Sequence, residues 1–417
     1  MSGTGVSGDL RNYILVTAAY WSNTLADGAA RILVLFYFFD QGYSPFEVAT
    51  LFVLYEFFGI VTNLVGGWIA SRLGLKSTLF SGLLVQLVAL GMLGLVPSAW
   101  LVVPWVMASQ ALSGIAKDLT KMSSKSAVKL VAPEDSESSL FRWVAVLTGS
   151  KNALKGVGFF LGGVLLTLVG FQTAMVILMA LVASGLVLAA TMMHGDLGRA
   201  DVGARFRHMF SHERAINMLA AARLFLFASR DVWFVVGLPV YLESVLGWSF
   251  WEVGGFLAIW VIGYGIVQAS APSVIGRRGR ETGRTPDGRT ATRLALVLAL
   301  LPALIAIAVS SDLDPTLAIV VGLIIFGVVF AMNSSVHSYL ILSYATSEKI
   351  AKSVGFYYMA NAGGRLLGTA LSGLLYQWQG LSACLWVSCG FVLASAALST
   401  FLPAASRRSH RRLRDAV

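Results

Sequence analysis

Predominantly apolar stretches of eighteen or more residues recur along this chain, and each is long enough to cross a bilayer as a helix. Leu79 to Val96 is one and Ser382 to Ala404 another. The hydrocarbon core holds no water, so the backbone of such a segment must bond to itself, and a helix does this without a partner. Of 417 residues, 57% are hydrophobic and 12% charged, against roughly 25% charged in an ordinary soluble domain. Too few polar groups remain to coat a water-soluble surface.

The apolar segments fall near residues 12–39, 45–70, 77–97, 100–122, 139–168 and 171–193, then 215–243, 249–272, 291–311, 315–344, 353–378 and 380–403. Connections near Gln41, Pro97, Gly170, Leu246, Asp312 and Gln379 contain no Lys or Arg. The alternate ones hold Arg72 and Lys76, Lys125 and Lys129, the arginines 199 to 214, Arg277 to Arg293, Lys349 with Lys352, and the tail from Arg407 to Arg414. Positive charge collects in cytoplasmic loops, so this alternation predicts an even number of spans, with both termini cytoplasmic in a plasma (inner) membrane. It also accounts for the net charge of +10 without nucleic acid. Cys384 and Cys389 lie five apart within one apolar segment, which fits neither a disulfide framework nor a zinc site. No small-residue cleavage site follows the first apolar stretch, so that helix is expected to remain in the mature protein.

The chain repeats. "GYSPFEV" (Gly42 to Val48) recurs as "GWSFWEV" (Gly247 to Val253), an offset of 205 residues, 247 against 42. The same offset sets "SRLG" from Ser71 on "GRRG" from Gly276. "KGVGFFLGG" from Lys155 matches "RLLGTALSG" from Arg365 at an offset of 210, 365 against 155. Six segments per repeat make the two halves parallel, a build found in secondary transporters. The expected organisation is an N-terminal six-helix bundle (1–193), a central cytoplasmic loop (194–214), a C-terminal six-helix bundle (215–403) and a basic tail (404–417).

The loop after the second segment, running from Gly67 through Ser71, Arg72 and Gly74 to Lys76, resembles the G-x-x-x-D-R-x-G-R-K signature of the major facilitator superfamily. Ser71 stands where the family has Asp, and Leu75 where it has the second Arg. The resemblance implies an all-α fold of twelve transmembrane helices in two pseudo-symmetric six-helix bundles. It makes Gly67, Arg72, Gly74 and Lys76 a conformational-switch loop. A closer resemblance rests on "LVTAAYWSNTLADGAARILVLFYF", "YEFFGIVTNLVGGW", "ALSGIAKDLTKMSSKSAVKLVAPE", "FRWVAVLTGSKNALKGVGFFLGG", "SRDVWFVVGLPVYLESVLGWSF" and "WVIGYGIVQASAP". These are similar to the ArsJ organoarsenical efflux transporters. What that implies is export of 1-arseno-3-phosphoglycerate, formed when a partner glyceraldehyde-3-phosphate dehydrogenase accepts arsenate, and hence arsenate resistance.

Charges inside the spans cost roughly 2.5–3.5 kcal/mol each at a helix centre, so they mark function by default. The basic set is Arg31, Lys117, Lys121, Lys151, Lys155, Arg223, Arg230 and Arg365; the acids are Asp27, Glu56, Asp118 and Asp231. Eight cations against four acids leave a surplus that attracts a multivalent anion. The eight cations are the candidate substrate ligands. Lys117, Lys121, Lys125 and Lys129 recur every four residues along one helix face. Snorkelling to the interface is the plainer reading of the first two, and positive-inside loop residues of the last two. Lys155 and its repeat-mate Arg365 are expected to flank a central site, or else to pair with an acid such as Glu56. Asp27 and Arg31 sit one turn apart and can pair along their helix. Arg230 and Asp231 are neighbours whose side chains start about 100° apart, which disfavours pairing.

Asp27, Glu56, Asp118, Asp231 and His337 are the candidates for charge pairing or proton coupling, His337 having a packing role as its plainer alternative. Trp21, Tyr37, Trp233, Trp260, Tyr357 and Tyr358 are read as core, lipid-facing or interfacial. No HExxH, paired-cysteine or P-loop pattern points to an enzyme, a metal or a cofactor. The expected partners are a small anion, lipids and the dehydrogenase. A transporter of another organic anion, such as a sugar phosphate or phosphoglycerate, is the nearest alternative, and a membrane receptor a remote one.

Overall fold

The computed structural model describes residues 3–127, 137–193, 214–282, 286–311, 314–344 and 350–403. Among them every regular element is helical: α1 (Gly3–Asp40), α2 (Pro45–Leu51), α3 (Val53–Leu73), α4 (Leu75–Gly94), α5 (Val103–Ala127), α6 (Glu137–Val169), α7 (Phe171–Met192), α8 (Arg214–Phe234), α9 (Gly237–Ser244), α10 (Phe250–Thr282), α11 (Gly288–Val309), α12 (Pro315–Tyr344) and α13 (Ile350–Ser399), with a 3-10 turn at Ser98–Trp100. Most of the central loop, Lys129 and the basic tail lie outside the described residues.

All twelve predicted segments are helical, with different joints. The second is divided into α2 and α3 at Phe52. The seventh is divided into α8 and α9, and α13 contains the last two, parted at Gln379 and Gly380. The break in the seventh has a chemical cause. Pro239 has no N–H for the Val235 carbonyl one turn earlier, and its ring crowds that turn; Val236 leaves the helical region at φ −128° and ψ −50°.

Eight stretches among the described residues are long and apolar enough to cross a membrane, the last, Phe356–Ser399, covering two segments. The long helices outside that set are α1, α5 and α8. They hold Asp27 with Arg31; Lys117, Asp118 and Lys121; and Arg223, Arg230 and Asp231. Charge, and not length, sets these three apart.

The chain divides into two compact units, residues 1–207 with 236–262, and 208–235 with 263–417. In the first, α1 packs on α5, α6 and α7, α4 on α5 and α7, and α3 on α5. In the second, α8 and α11 pack on α13, and α12 on α11 and α8.

The sequence repeat is also a structural repeat. Gly42 and Gly247 both adopt positive φ, 88° and 70°, where a side chain would be strained. Two residues on, Ser44 N and Oγ each donate to Glu47 Oε2 at 2.8 Å. Ser249 N and Oγ donate in the same way to Glu252 Oε2 at 2.8 and 2.5 Å. Each arrangement ties a serine at a helix start to a carboxylate in the first turn. Gly170 and Gly380, related by the second offset, have φ of 74° and 68°.

Helix contacts repeat too. A Cβ on Gly158 would lie 2.6 Å from Leu25 O, and one on Gly368, its partner at offset 210, 2.8 Å from Ala228 O. Thus α6 meets α1, and α13 meets α8, backbone to backbone, as small residues permit in membranes.

Candidate functional site

In the first unit the charges gather where α1, α3 and α5 meet. Arg31 Nη1 lies 3.2 Å from Glu56 Oε1, across α1 and α3. Asp27 does not pair along its own helix; it accepts from the Tyr55 hydroxyl at 2.8 and 2.9 Å through its two oxygens. Tyr55 and Glu56 are consecutive on α3, which packs with α1 on α5, and each meets one member of the Asp27 and Arg31 turn. Lys121 forms an ion pair with Asp118, also accepted by Asn63 Oδ1 at 2.9 Å. Thr62 and Asn63 donate to Asp118 Oδ2 at 3.4 and 3.3 Å. Lys117 Nζ stands 4.0 Å from the Tyr55 ring centroid. One further bond, Asn23 Nδ2 to Thr120 Oγ1 at 3.0 Å, ties α1 to α5.

Lys151 and Lys155 lie on α6, which runs alongside α1. Trp21 Nε1 donates to Ser150 Oγ at 3.1 Å, and a Cβ on Gly28 would lie 2.8 Å from Lys155 O. Lys155 therefore starts beside the turn that holds Asp27. Its Nζ is 5.4 Å from the Phe159 ring centroid.

In the second unit α8 supplies the charges. Arg230 Nε and Nη2 both reach Asp231 Oδ1 at 2.6 Å. Adjacent residues thus pair despite the expected divergence, because the long arginine side chain curls back to its short neighbour. Arg223 is 4% exposed and donates from Nη1 to Ser334 O and Oγ at 2.9 and 3.0 Å on α12, both neutral acceptors. His337 lies one turn beyond Ser334 and is fully buried. Arg365 follows Gly364 at the contact of α13 with Leu224 on α8.

Gly74, with φ 78°, separates α3 from α4. Lys76 Nζ donates to Met193 O at 3.2 Å, and Arg11 Nη2 to Met192 O at 2.5 Å. Two cations therefore sit on the carbonyls that end α7, where the helix dipole is negative. Gly67 and Arg72 belong to α3, and Lys125 to α5; the side chains of Arg72 and Lys125 lie outside the described part.

Charge spacing brought out most of these residues but missed Tyr55 and Phe227. Phe227 has Arg223 Cζ at 4.2 Å and Arg230 Cζ at 5.0 Å from its ring centroid. Aromatics are so common in membrane helices that only position relative to charge distinguishes these two. Among the described residues no cluster of three His, Cys, Asp or Glu is placed to hold a metal ion. A surface cavity of about 380 Å³ at the start of α12, lined by Asp314, Leu317, Ala318, Val321 and Gly322, contains none of the charged candidates.

Twelve helical spans with charge networks buried at helix contacts are the build of a polytopic membrane transporter. The family model described as Major Facilitator Superfamily matches residues 16–369. The chain belongs to that superfamily, and its activity is membrane transport. Solved structures share the fold at low identity. A POT family transporter in complex with a thioalcohol-conjugated peptide is 13% identical, with a TM-score of 0.74 over 93% of this chain and 95% of that one. A bacterial homologue of the iron transporter ferroportin, in an inward-facing state, is 14% identical, with a TM-score of 0.69 over 94% and 98%. No curated protein sequence matches.

Proposed function

We propose that this transporter exports an anionic organoarsenical, 1-arseno-3-phosphoglycerate, and so confers arsenate resistance. The observation that carries the anionic substrate is the imbalance among the charges singled out within the spans, eight cations against four acids. Each acid is engaged within its own unit: Glu56 by Arg31, Asp118 by Lys121, Asp231 by Arg230 and Asp27 by Tyr55. A net excess of positive charge at low dielectric favours a negatively charged ligand. Arginine holds phosphate-like oxygens through parallel hydrogen bonds, which suits a compound bearing phosphate, carboxylate and arsenate groups.

Lys155 and Arg365 are the cations we assign to substrate contact first. The direction of transport, the arsenical and the dehydrogenase that makes it come from the resemblance to ArsJ transporters. The alternation of basic loops supports a plasma-membrane location with cytoplasmic termini, and the internal repeat supports an organisation in two six-helix halves. If transport is proton-coupled, Asp27, Glu56, Asp231 or His337 carries the proton. The loop from Gly67 to Lys76 is the conformational switch. A transporter of phosphoglycerates or sugar phosphates would use the same cations, and competition by those anions for efflux separates the two readings.

The test is arsenate tolerance of sensitive cells expressing this chain with and without the dehydrogenase. Protection requires both proteins, and Lys155→Ala or Arg365→Ala abolishes it. Protection by the chain alone, or none with both, rules out the arsenical.

A further inference from the structure

Arg223 is a buried cation of α8 whose hydrogen-bond partners are all uncharged. It is 4% exposed and donates from Nη1 alone, to Ser334 O and Oγ at 2.9 and 3.0 Å. Its Nε is fully buried and meets no acceptor among the described residues. The rings of Phe227 and Tyr357, centred 4.2 and 4.8 Å from Cζ, attract the cation without cancelling its charge. Taking a guanidinium out of water is costly unless an opposite charge offsets it. Asp231, the acid on the same helix, is engaged by Arg230 instead.

Ser334 stands among further unfinished polar groups. A helix turns about 100° per residue, so Asn333, Ser334 and His337 share the face of α12 that meets Arg223. All three are completely buried. Both amide atoms of Asn333 and both ring nitrogens of His337 lack a hydrogen-bond partner among the described residues. Ser334 Oγ accepts from Arg223 and, at 3.3 Å, from Gln268 Nε2, so its own proton is left to donate. Buried polar groups are nearly always paired, because an unpaired one forfeits its bonds to water. The open positions here are mostly donors: Arg223 Nε, the Ser334 hydroxyl, the Asn333 amide N–H groups and the ring N–H that even a neutral His337 carries. Gathered around one positive charge, they suit an anion with several acceptor oxygens and would repel a cation.

We propose that Arg223, Asn333, Ser334 and His337 form a subsite for the phosphoryl group of a phosphate ester. The Nε and Nη2 edge of Arg223 takes two of its three terminal oxygens through parallel bonds, and the donors of α12 meet the third. This rests on the anionic-substrate reading above and names the group by which that substrate is recognised in the second unit. It brings in Asn333 and Ser334, which carry no charge, and gives His337 a ligand to hold.

The test uses the full-length protein purified in detergent, with dissociation constants for 3-phosphoglycerate, glycerol 3-phosphate, glycerate and inorganic phosphate. Wild type binds both esters, and binds glycerate and inorganic phosphate about tenfold or more less tightly. Arg223→Gln weakens both esters about tenfold or more and leaves glycerate unchanged, because charge-assisted bonds to the phosphoryl group are lost. Arg223→Lys keeps the charge but not the fork and recovers only part of that loss. Asn333→Leu and His337→Leu each cost about threefold, and His337→Gln, which keeps an N–H donor, recovers most of it. Folded Arg223 variants that bind the esters as wild type does, or that weaken glycerate equally, overturn the subsite alone, as does glycerate bound as tightly as the esters. Inorganic phosphate bound as tightly as the esters assigns the site to the free ion and overturns the ester. Where Arg223→Gln fails to fold, Arg223→Lys and Asn333→Ala are read by the same criteria. A wild-type protein that binds neither ester overturns the anionic-substrate reading, and the inference falls with it.

Discussion

Arg31 on α1 and Glu56 on α3 meet at 3.2 Å, with the Glu56 side chain fully buried and that of Arg31 12% exposed. Removing either member strands the other charge away from water, a loss of about 3–5 kcal/mol for a buried pair. Arg31→Met and Glu56→Gln are therefore expected to lower the thermal midpoint of the purified protein, and the double variant Arg31→Met with Glu56→Leu to recover more than half of the loss. Equal and additive losses would show that the two residues act separately.

Tyr55 donates one hydroxyl to both oxygens of Asp27, which is 6% exposed. Tyr55→Phe keeps the ring but deprives a buried carboxylate of its donor, at a cost of about 1–3 kcal/mol. In an Asp27→Asn background the same substitution is expected to cost less than half as much, since the charge it served is gone. Denaturation of the four proteins in one detergent gives the comparison.

Asp231 neutralises its own neighbour, Arg230, at 2.6 Å. Asp231→Asn frees that guanidinium, and a charge-assisted contact is worth about 1.5–3 kcal/mol. Anion affinity is expected to rise about tenfold while turnover falls, because a tightly held substrate leaves slowly. Unchanged affinity with unchanged turnover would remove Arg230 from the binding site.

Gly158 and Gly368 are the repeat-related points of helix contact. An alanine at either puts Cβ within 2.6 or 2.8 Å of a backbone oxygen, so overpacking of about 1–3 kcal/mol is expected, with loss of transport. Gly263 has open space around its Cβ position, and Gly263→Ala is expected to be tolerated or slightly stabilising. Expression and melting of the three variants decide this.

Much of the fold was legible because apolar length and glycine-bearing repeats are local signals. The pair "GYSPFEV" and "GWSFWEV" marked the places where the Ser44 and Ser249 caps form. The joints were harder. The division of the seventh segment at Val235 follows from Pro239, a helix-breaking residue inside an apolar run that hydropathy alone passes over. Charge partners were hardest, because they depend on which residues two helices bring together. Arg31 had Asp27 within one turn, yet the fold gives it Glu56 of α3, 25 residues away. Spacing said Arg230 and Asp231 diverge, and side-chain length outweighed it. Tyr55 and Phe227 carry no charge, so only the structure distinguishes them from other aromatics.

Inside-out membrane vesicles containing this transporter offer the most direct test of its proposed cargo. Supplied with the dehydrogenase, its nicotinamide cofactor, glyceraldehyde 3-phosphate and arsenate, they are expected to accumulate arsenic, and to stop when any one component is left out or when Lys155 and Arg365 are both replaced by alanine. Accumulation from arsenate alone, or none from the complete mixture, would contradict export of an arsenylated phosphoglycerate.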